Sequence, residues 1–169
     1  MTRLSVAVRP SQAVLDRIAA LPRAPHPGLH WSEPERWIVK LRPLGHVPEH
    51  LIGPLGDALG AALDGAPAPE CVLGPATVRP SGQWLYAPVV GLDELSDEVF
   101  AATEHLVPVT HPQPFRGFLV LATGRVPAEV AGAPIDGTWR PDVVALVADR
   151  SAPGRPRLVD LVTLPLGPP

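Results

Sequence analysis

Apolar and polar residues alternate with a period of two in several short stretches, which predicts β-strands at those places. The clearest stretch is Trp37–Gly45, and an earlier one runs from Arg3 to Arg9. Further strands are expected at 71–78, 83–90, 117–122, 143–148 and 158–164. A glycine and a nearby proline should end the Trp37–Gly45 strand after roughly five or six residues.

Apolar residues recur at helical spacing in three other stretches. They predict helices from Pro10 to about Leu21, from Val47 to about Leu63 and from Leu92 to Leu106. The segment 22–34 is rich in proline and histidine and is expected to be a loop. The order of strands and helices predicts an α+β fold with two similar halves, each placing a short apolar strand near a helix.

The strand at Trp37–Gly45 has two unlike faces, because successive side chains of a strand point to opposite sides. Alternate residues from Trp37 to Leu41 form an apolar face. The opposite face is expected to carry Ile38, Lys40 and Arg42, which puts two cations beside an isoleucine. Lys40 is also the only lysine of the chain, since every other basic residue is arginine.

Bulk composition narrows the class of protein. The chain has 169 residues, of which 46% are hydrophobic, and this is enough to bury the core of one domain spanning 1–169. No apolar run approaches the roughly 18 residues of a membrane span. The N-terminal stretch is too short and too interrupted by charge to predict a signal peptide. We therefore expect a soluble cytoplasmic protein with no membrane partner.

Charge and cysteine content argue against further classes of protein and of site. The net charge is −3 and the basic residues are scattered, so no basic stripe predicts binding to duplex nucleic acid. One cysteine, Cys71, excludes an internal disulfide and a multi-cysteine metal site. Its apolar neighbours favour a small buried side chain over a nucleophile.

Five pieces of the chain, taken in order, resemble a known family. They are the first strand with Arg9–Ser11, then Trp31–Trp37, Gln83–Val89, Pro114–Gly117, and the closing hairpin from Thr138-Trp139 through 143–147 to 157–166. The ordered set is similar to the 2H phosphoesterase superfamily, in particular to its 2′-5′ RNA ligase-like (RNA 2′,3′-cyclic phosphodiesterase) branch. The resemblance implies an α+β bilobal fold with two antiparallel sheets flanking a central cleft and helices packed outside.

The same resemblance implies two His-x-Thr/Ser motifs facing each other across the cleft, one histidine acting as base and the other as acid. In this chain the motifs fall on Ile38-Val39-Lys40 and on Phe118-Leu119-Val120. These side chains, apart from Lys40, can neither move a proton nor bind a phosphate oxygen. Each acid or base contributes roughly 10²–10⁴ in rate, so losing both should abolish the family reaction. The fold and the cleft are therefore expected, but the activity is not.

Alternation along the two motif strands predicts the lining of the cleft. It is an apolar floor with three cations at its edges: Ile38, Lys40, Arg42, Arg116, Phe118 and Val120. One interpretation is a pocket for an apolar or aromatic ligand carrying an anionic group. The other is a filled cleft whose cations meet carboxylates. Tyr86 and Trp84 share a face of the central strand, where they either belong to the core or stack on an aromatic ligand.

Lys40 is the candidate catalytic residue. An ammonium with apolar neighbours loses hydration, so its pKa should fall, and Arg42 and Arg116 would push it the same way. Such a lysine can act as a base, as a Schiff-base nucleophile or as an anion anchor. The alternative is that Lys40 reaches the rim or pairs with a carboxylate such as Glu35.

The six histidines lie in predicted loops or near helix ends, and none has the spacing of a ligand cluster, so no metal and no cofactor is expected. His46 follows the first motif and His111 precedes the second, so either could replace an acid or base at the rim. A solvated loop histidine is the simpler interpretation of both.

Four functions stay open. The first is a degenerate phosphoesterase-like protein that binds a small ligand, with nucleotides among the candidates, in the former catalytic cleft. The second is a repurposed enzyme that uses Lys40 and an apolar cleft for other chemistry. The third is a protein-interaction module with a filled cleft. The fourth, a working cyclic phosphodiesterase, needs a substitute acid and base.

Overall fold

A computed structural model describes residues 1–169 and contains two antiparallel sheets. We call the first of them sheet A. Its strand order is β10-β9-β1-β3. The strands are β1 (Thr2–Val8), β3 (Val39–Val47), β9 (Val143–Asp149) and β10 (Leu158–Pro165).

Sheet B has the order β2-β7-β6-β4-β8, with β5 pairing on β6. Its strands are β2 (Leu29–Trp31), β4 (Cys71–Leu73), β5 (Val78–Ser81), β6 (Trp84–Val90), β7 (Phe118–Gly124) and β8 (Gly137–Trp139). Strands β3 and β7, which carry the two motif positions, approach each other where the sheets meet.

Three helices cover the outer faces of the sheets: α1 (Gln12–Ala19), α2 (Ile52–Leu63) and α3 (Asp93–Thr103). Helix α1 packs near β8, α2 near β10 and α3 near β3. Ser11 caps α1, because its hydroxyl accepts a hydrogen bond from the Val14 amide at 3.4 Å. Short 3₁₀ helices lie at 34–36, 49–51 and 128–130. No helix is long and apolar enough to cross a membrane.

The apolar stripes of the helices and the inner faces of both sheets form one cluster of 32 buried residues. Helix α2 contributes Leu55, Leu59 and Leu63, which recur at helical spacing and are fully buried. A second cluster of four buried residues lies on the other face of sheet A: Ala7, Ile38, Ala145 and Val147. Sheet A is therefore apolar on both faces, and we call the face of this small cluster the cleft face.

The predicted α+β class, with antiparallel sheets and helices packed outside, is confirmed. Three elements differ from the prediction. The strand predicted at 71–78 is only β4, Cys71–Leu73, and the separate strand β5 begins at Val78. Strand β3 continues through Gly45 to Val47, because Gly45 takes φ +70° beside an irregularity in the pairing with β1 and the pairing then resumes. The loop predicted at 22–34 contains the short strand β2, which pairs with Ala122–Gly124 of β7.

Candidate functional site

Ile38 stands where the chain enters β3 and occupies the first motif position. Its side chain is 6% exposed and packs against Ala7, Ala145 and Val147, with Leu158 beside them. Small residues on the two neighbouring strands leave room for a branched side chain at this point. The first motif position is therefore part of a buried apolar cluster, where nothing can accept or release a proton.

Lys40 pairs with Ala7 across β1 and β3, so it lies on the cleft face as predicted. The residue is exposed, and the four ion pairs of the protein all use arginine, so no carboxylate lies within ion-pair distance of its ammonium. The predicted pairing with Glu35 is thus absent. Partial burial lowers the pKa of Lys40, and so do the positive charges of Arg3 and Arg36, while Asp149 opposes them.

The fall in the pKa of Lys40 has the predicted direction, but Arg3 and Arg36 contribute to it in place of Arg42 and Arg116. The residues that surround Lys40 were missed by sequence reasoning. Arg3 of β1 lies opposite Asp149 of β9 in the register of the two strands. Both residues are far from Lys40 along the chain. Alternation along β1 places Arg3 on the same face as Ser5 and Ala7, but only the register of the strands brings the group together.

Asp149 forms an ion pair with Arg36 and not with Lys40. Its carboxylate forms an ion pair with Arg36 at 3.2 Å and accepts a hydrogen bond from the Ser151 amide at 3.0 Å. Partial burial raises the pKa of Asp149, but the hydrogen bonds from Ser151 and Arg36 outweigh this and lower it. The group on the cleft face thus holds three cations, Arg3, Arg36 and Lys40, against one carboxylate.

Arg42 does not lie on the cleft face, and its predicted place beside Lys40 is wrong. The pairing of β1 with β3 shifts between Ala7–Lys40 and Val6–Arg42, so Leu41 is an extra residue and the alternation slips by one. Arg42 is 3% exposed on the core side, where it donates to the Thr103 hydroxyl at 2.7 Å and to the Val107 carbonyl. Burial lowers its pKa, and Glu104 opposes this. It is a structural residue that ties the end of α3 to β3.

The second motif position is part of an aromatic pair on the open face of sheet B. The rings of Phe118 and Tyr86 stack with their centroids 4.4 Å apart and 22° between their planes. Both side chains are half-buried, and Val120 pairs with Tyr86 across the two strands. Gly117 makes this possible, because a Cβ there would lie 2.3 Å from the Val89 carbonyl oxygen. The close approach of β7 to β6 sets the position of Phe118.

Trp84 extends this open face, with 44% of its surface exposed, while Leu85 and Ala87 on the opposite face of β6 are buried. The predicted sharing of one face by Trp84 and Tyr86 is confirmed. Val78 pairs with Tyr86 from β5 and is also exposed. We call this surface the aromatic platform: Val78, Trp84, Tyr86, Phe118 and Val120. It is a large apolar surface that solvent reaches, which is a typical property of a binding site.

Arg116, two residues before Phe118, is exposed and forms no ion pair. It lies in the irregular segment that leads into β7. Lys40 on β3 and Arg116 just before β7 are therefore both cations without a carboxylate partner, and β3 and β7 approach each other. Together with the aromatic platform, these cations can receive a molecule with an aromatic part and an anionic part.

The histidines and the cysteine considered in the sequence do not form a catalytic or metal-binding group. His46 and His111 are exposed, and no three residues of types that bind metal ions are grouped together. Cys71 is fully buried, and burial raises the pKa of its thiol to about 12, which keeps it protonated at neutral pH. It is the small buried side chain that the sequence predicts.

An open cavity adjoins this site without including it. A cavity of about 230 Å³ shares Ala7 and Ala145 with the Ile38 cluster, and no predicted ligand residue lines it. A second cavity, of about 10 Å³, touches Trp37, whose buried indole nitrogen has no hydrogen-bond partner.

Solved structures resemble the chain closely in fold. No protein-family profile and no curated protein sequence matches it. TT0787 of Thermus thermophilus matches with a TM-score of 0.81 and 24% identity, Escherichia coli LigT complexed with 3′-AMP with 0.82 and 19%, and a phosphoesterase with 0.83 and 19%. Each match covers 98% of both chains.

The protein has the fold of LigT. At identities below 25% the likeness establishes the fold, and it confirms the architecture that the sequence resemblance implies. LigT has also been crystallised with NADP⁺, with phosphate and with ATP.

Proposed function

We propose that this protein is a LigT-fold protein that has lost cyclic phosphodiesterase chemistry and binds a small ligand on the former catalytic surface. The observation that carries the proposal is the pair of motif positions. Ile38 is buried among alanine and valine, and Phe118 is stacked on Tyr86. Neither side chain has a proton to exchange, and each missing acid or base removes roughly 10²–10⁴ in rate.

The ligand in this proposal has a flat apolar part and an anionic group. The aromatic platform offers a ring face for stacking, which contributes roughly 1–3 kcal/mol per base in proteins that bind single strands. Lys40 and Arg116 offer cations that no carboxylate of the chain pairs with. The 3′-AMP found with LigT combines both features, phosphate carries the anionic one alone, and the two supply the first probes to use.

Loss of catalysis is tested with nucleoside 2′,3′-cyclic phosphates and 2′-5′-linked dinucleotides. We expect no turnover above that of a matched buffer blank. Turnover that disappears in Lys40→Ala would overturn the proposal. Turnover that survives both Lys40→Ala and Phe118→Ala would come from a contaminating enzyme, and the protein would then be purified again until the assay is decisive.

Binding is tested by titrating 3′-AMP, adenosine and inorganic phosphate and following tryptophan fluorescence, since Trp84 lies on the platform. We expect 3′-AMP to bind more tightly than either of its parts. Tyr86→Ala should weaken binding, whereas Tyr86→Phe keeps the ring and serves as the matched control. Equal affinity of the native protein and Tyr86→Ala would exclude the platform as the binding surface.

A second candidate is a repurposed enzyme that uses Lys40 as a base or a Schiff-base nucleophile. The unpaired ammonium and its lowered pKa favour it, because a neutral amine is the nucleophilic form. Treatment with pyruvate and borohydride, followed by peptide mass analysis, should then modify Lys40 in preference to the N-terminal amine. Modification of the N-terminus alone would exclude this chemistry for that carbonyl compound.

A further inference from the structure

The cavity of about 230 Å³ beside the candidate site opens where the end of β1, the start of α1 and the connection from β8 to β9 meet. Its floor is formed by two alanines of the cleft face, Ala7 and Ala145. Trp139 forms a wall, and its indole nitrogen donates to the Arg9 carbonyl at 3.1 Å. This bond and the burial of Trp139 make the wall a fixed part of the fold.

Four charged residues line the cavity, two of each sign. Arg9 forms an ion pair with Asp160 at 2.7 Å. Arg140 donates to the Ala68 carbonyl at 2.9 Å and lies 3.6 Å from the carboxylate of Glu70, which is outside the lining. Asp142 is exposed, and its carboxylate takes part in no ion pair.

This charge pattern selects among ligand classes. A simple anion would meet the carboxylates of Asp142 and Asp160, and a simple cation would meet the guanidinium groups of Arg9 and Arg140. An uncharged molecule would make no use of the Asp142 carboxylate, which has no ion-pair partner. A molecule that carries one charge of each sign can place its ammonium on Asp142, which has no ion pair, and its carboxylate on the N–H groups that Arg9 and Arg140 keep beside their present partners.

We propose that this cavity is a binding site for a small zwitterion of the free amino acid class. Its volume is below the roughly 300–1,000 Å³ of pockets for drug-sized ligands, which suits a molecule of a few heavy atoms. The alanine floor and the Trp139 wall admit a short apolar side chain. The cavity shares Ala7 and Ala145 with the cleft face, but Lys40 and the aromatic platform do not line it, so variants of different residues test the two proposals.

The experiment titrates L-alanine into ¹⁵N-labelled protein and follows the four tryptophan indole signals, of which Trp139 reports on the cavity. Acetate and ethylammonium, which carry one charge each, are titrated in parallel. We expect L-alanine to shift the Trp139 signal saturably and to raise the unfolding temperature, and each half to bind at least about tenfold more weakly. Absence of saturation with L-alanine, or equal affinity for acetate, would overturn the proposal.

Asp142→Asn removes the proposed ammonium partner without touching an ion pair of the fold. Asp57→Asn, on the exposed side of α2, is the matched control. We expect Asp142→Asn to weaken L-alanine binding roughly tenfold, or about 1.4 kcal/mol, and Asp57→Asn and Lys40→Met to leave it unchanged. Native affinity in Asp142→Asn would contradict the assignment, and the melting curves of both variants would verify that they are folded.

Discussion

Ile38 and Phe118 occupy corresponding positions on the two motif strands, but their surroundings differ. Ile38 is buried in the small cluster of sheet A, whereas Phe118 is half-buried and stacks on Tyr86 at the surface of sheet B. The two side chains, neither of which can exchange protons, therefore have different structural roles. Ile38 on β3 adds to the packing of the protein, and Phe118 on β7 adds to a surface that a ligand can reach.

The difference separates stability from binding. Packing around Ile38 involves three strands of sheet A, so its removal affects the fold. The stacked rings on β6 and β7 hold less buried surface, so their removal affects recognition more than folding. Three changes test this contrast, from the largest expected effect to the smallest.

Truncation of the two motif side chains should have unequal costs. Ile38→Ala leaves a hole between Ala7, Ala145 and Val147 and is expected to lower the free energy of unfolding by about 2–5 kcal/mol. Phe118→Ala removes a half-exposed ring and should cost about 1–2 kcal/mol. Urea unfolding of both variants measures the difference. Equal costs, or a larger cost for Phe118→Ala, would contradict the contrast between the strands.

The two cations of β3 should also behave differently. Arg42→Met removes hydrogen bonds to Thr103 and Val107 inside the protein and should cost about 1.5–3 kcal/mol. Lys40→Met removes a partly buried ammonium that has no ion-pair partner and keeps a chain of similar length, so its effect should stay within about 0.5 kcal/mol. The same unfolding assay applies to both. A large loss of stability in Lys40→Met would mean that its side chain supports the sheet.

The pH dependence of stability should reveal the environment of Lys40. Its pKa in the folded protein is lowered from 10.5, so the unfolded chain binds the proton more tightly. Stability should therefore rise slightly as the pH increases from the lowered pKa towards 10.5, and this rise should be absent in Lys40→Met. Unfolding midpoints between about pH 8 and pH 11 measure the difference between the two proteins.

Side-chain NMR provides the matching direct measurement, because a single lysine gives a single ammonium resonance. A titration midpoint at or above that of a free lysine would contradict the lowered pKa. Together with unchanged 3′-AMP binding in Lys40→Met, it would remove Lys40 from the candidate site.

Local patterns were sufficient for most of the fold. Helical spacing predicts α2 through Leu55, Leu59 and Leu63, and alternation predicts β6 with its aromatic residues on one face. Strand β2 was missed, since three residues between prolines and glycine have too short a pattern, and pairing with β7 is what forms the strand. A local pattern of apolar and polar residues does not show which distant segments of the chain pair with each other.

The candidate site was predictable only in part for the same reason. Alternation places Ile38 and Lys40 on one face correctly, but it fails at Arg42, because the extra residue Leu41 depends on the fit between β1 and β3. The neighbours of Lys40 are Arg3 and Asp149, whose positions follow from strand register across most of the chain. The stacking of Phe118 on Tyr86 likewise required the pairing of β6 with β7.

The single lysine also gives the chain a single cleavage point for a lysine-specific endoprotease. The bond after Lys40 lies inside β3, which is hydrogen-bonded to β1, so the protease can act only when this edge of sheet A opens. One cut yields two fragments, 1–40 and 41–169, and each molecule is counted as intact or cut. At low protease concentration the rate of this cleavage in native buffer is proportional to the fraction of molecules in which sheet A is open at β3, and it is measured without a label and without a denaturant.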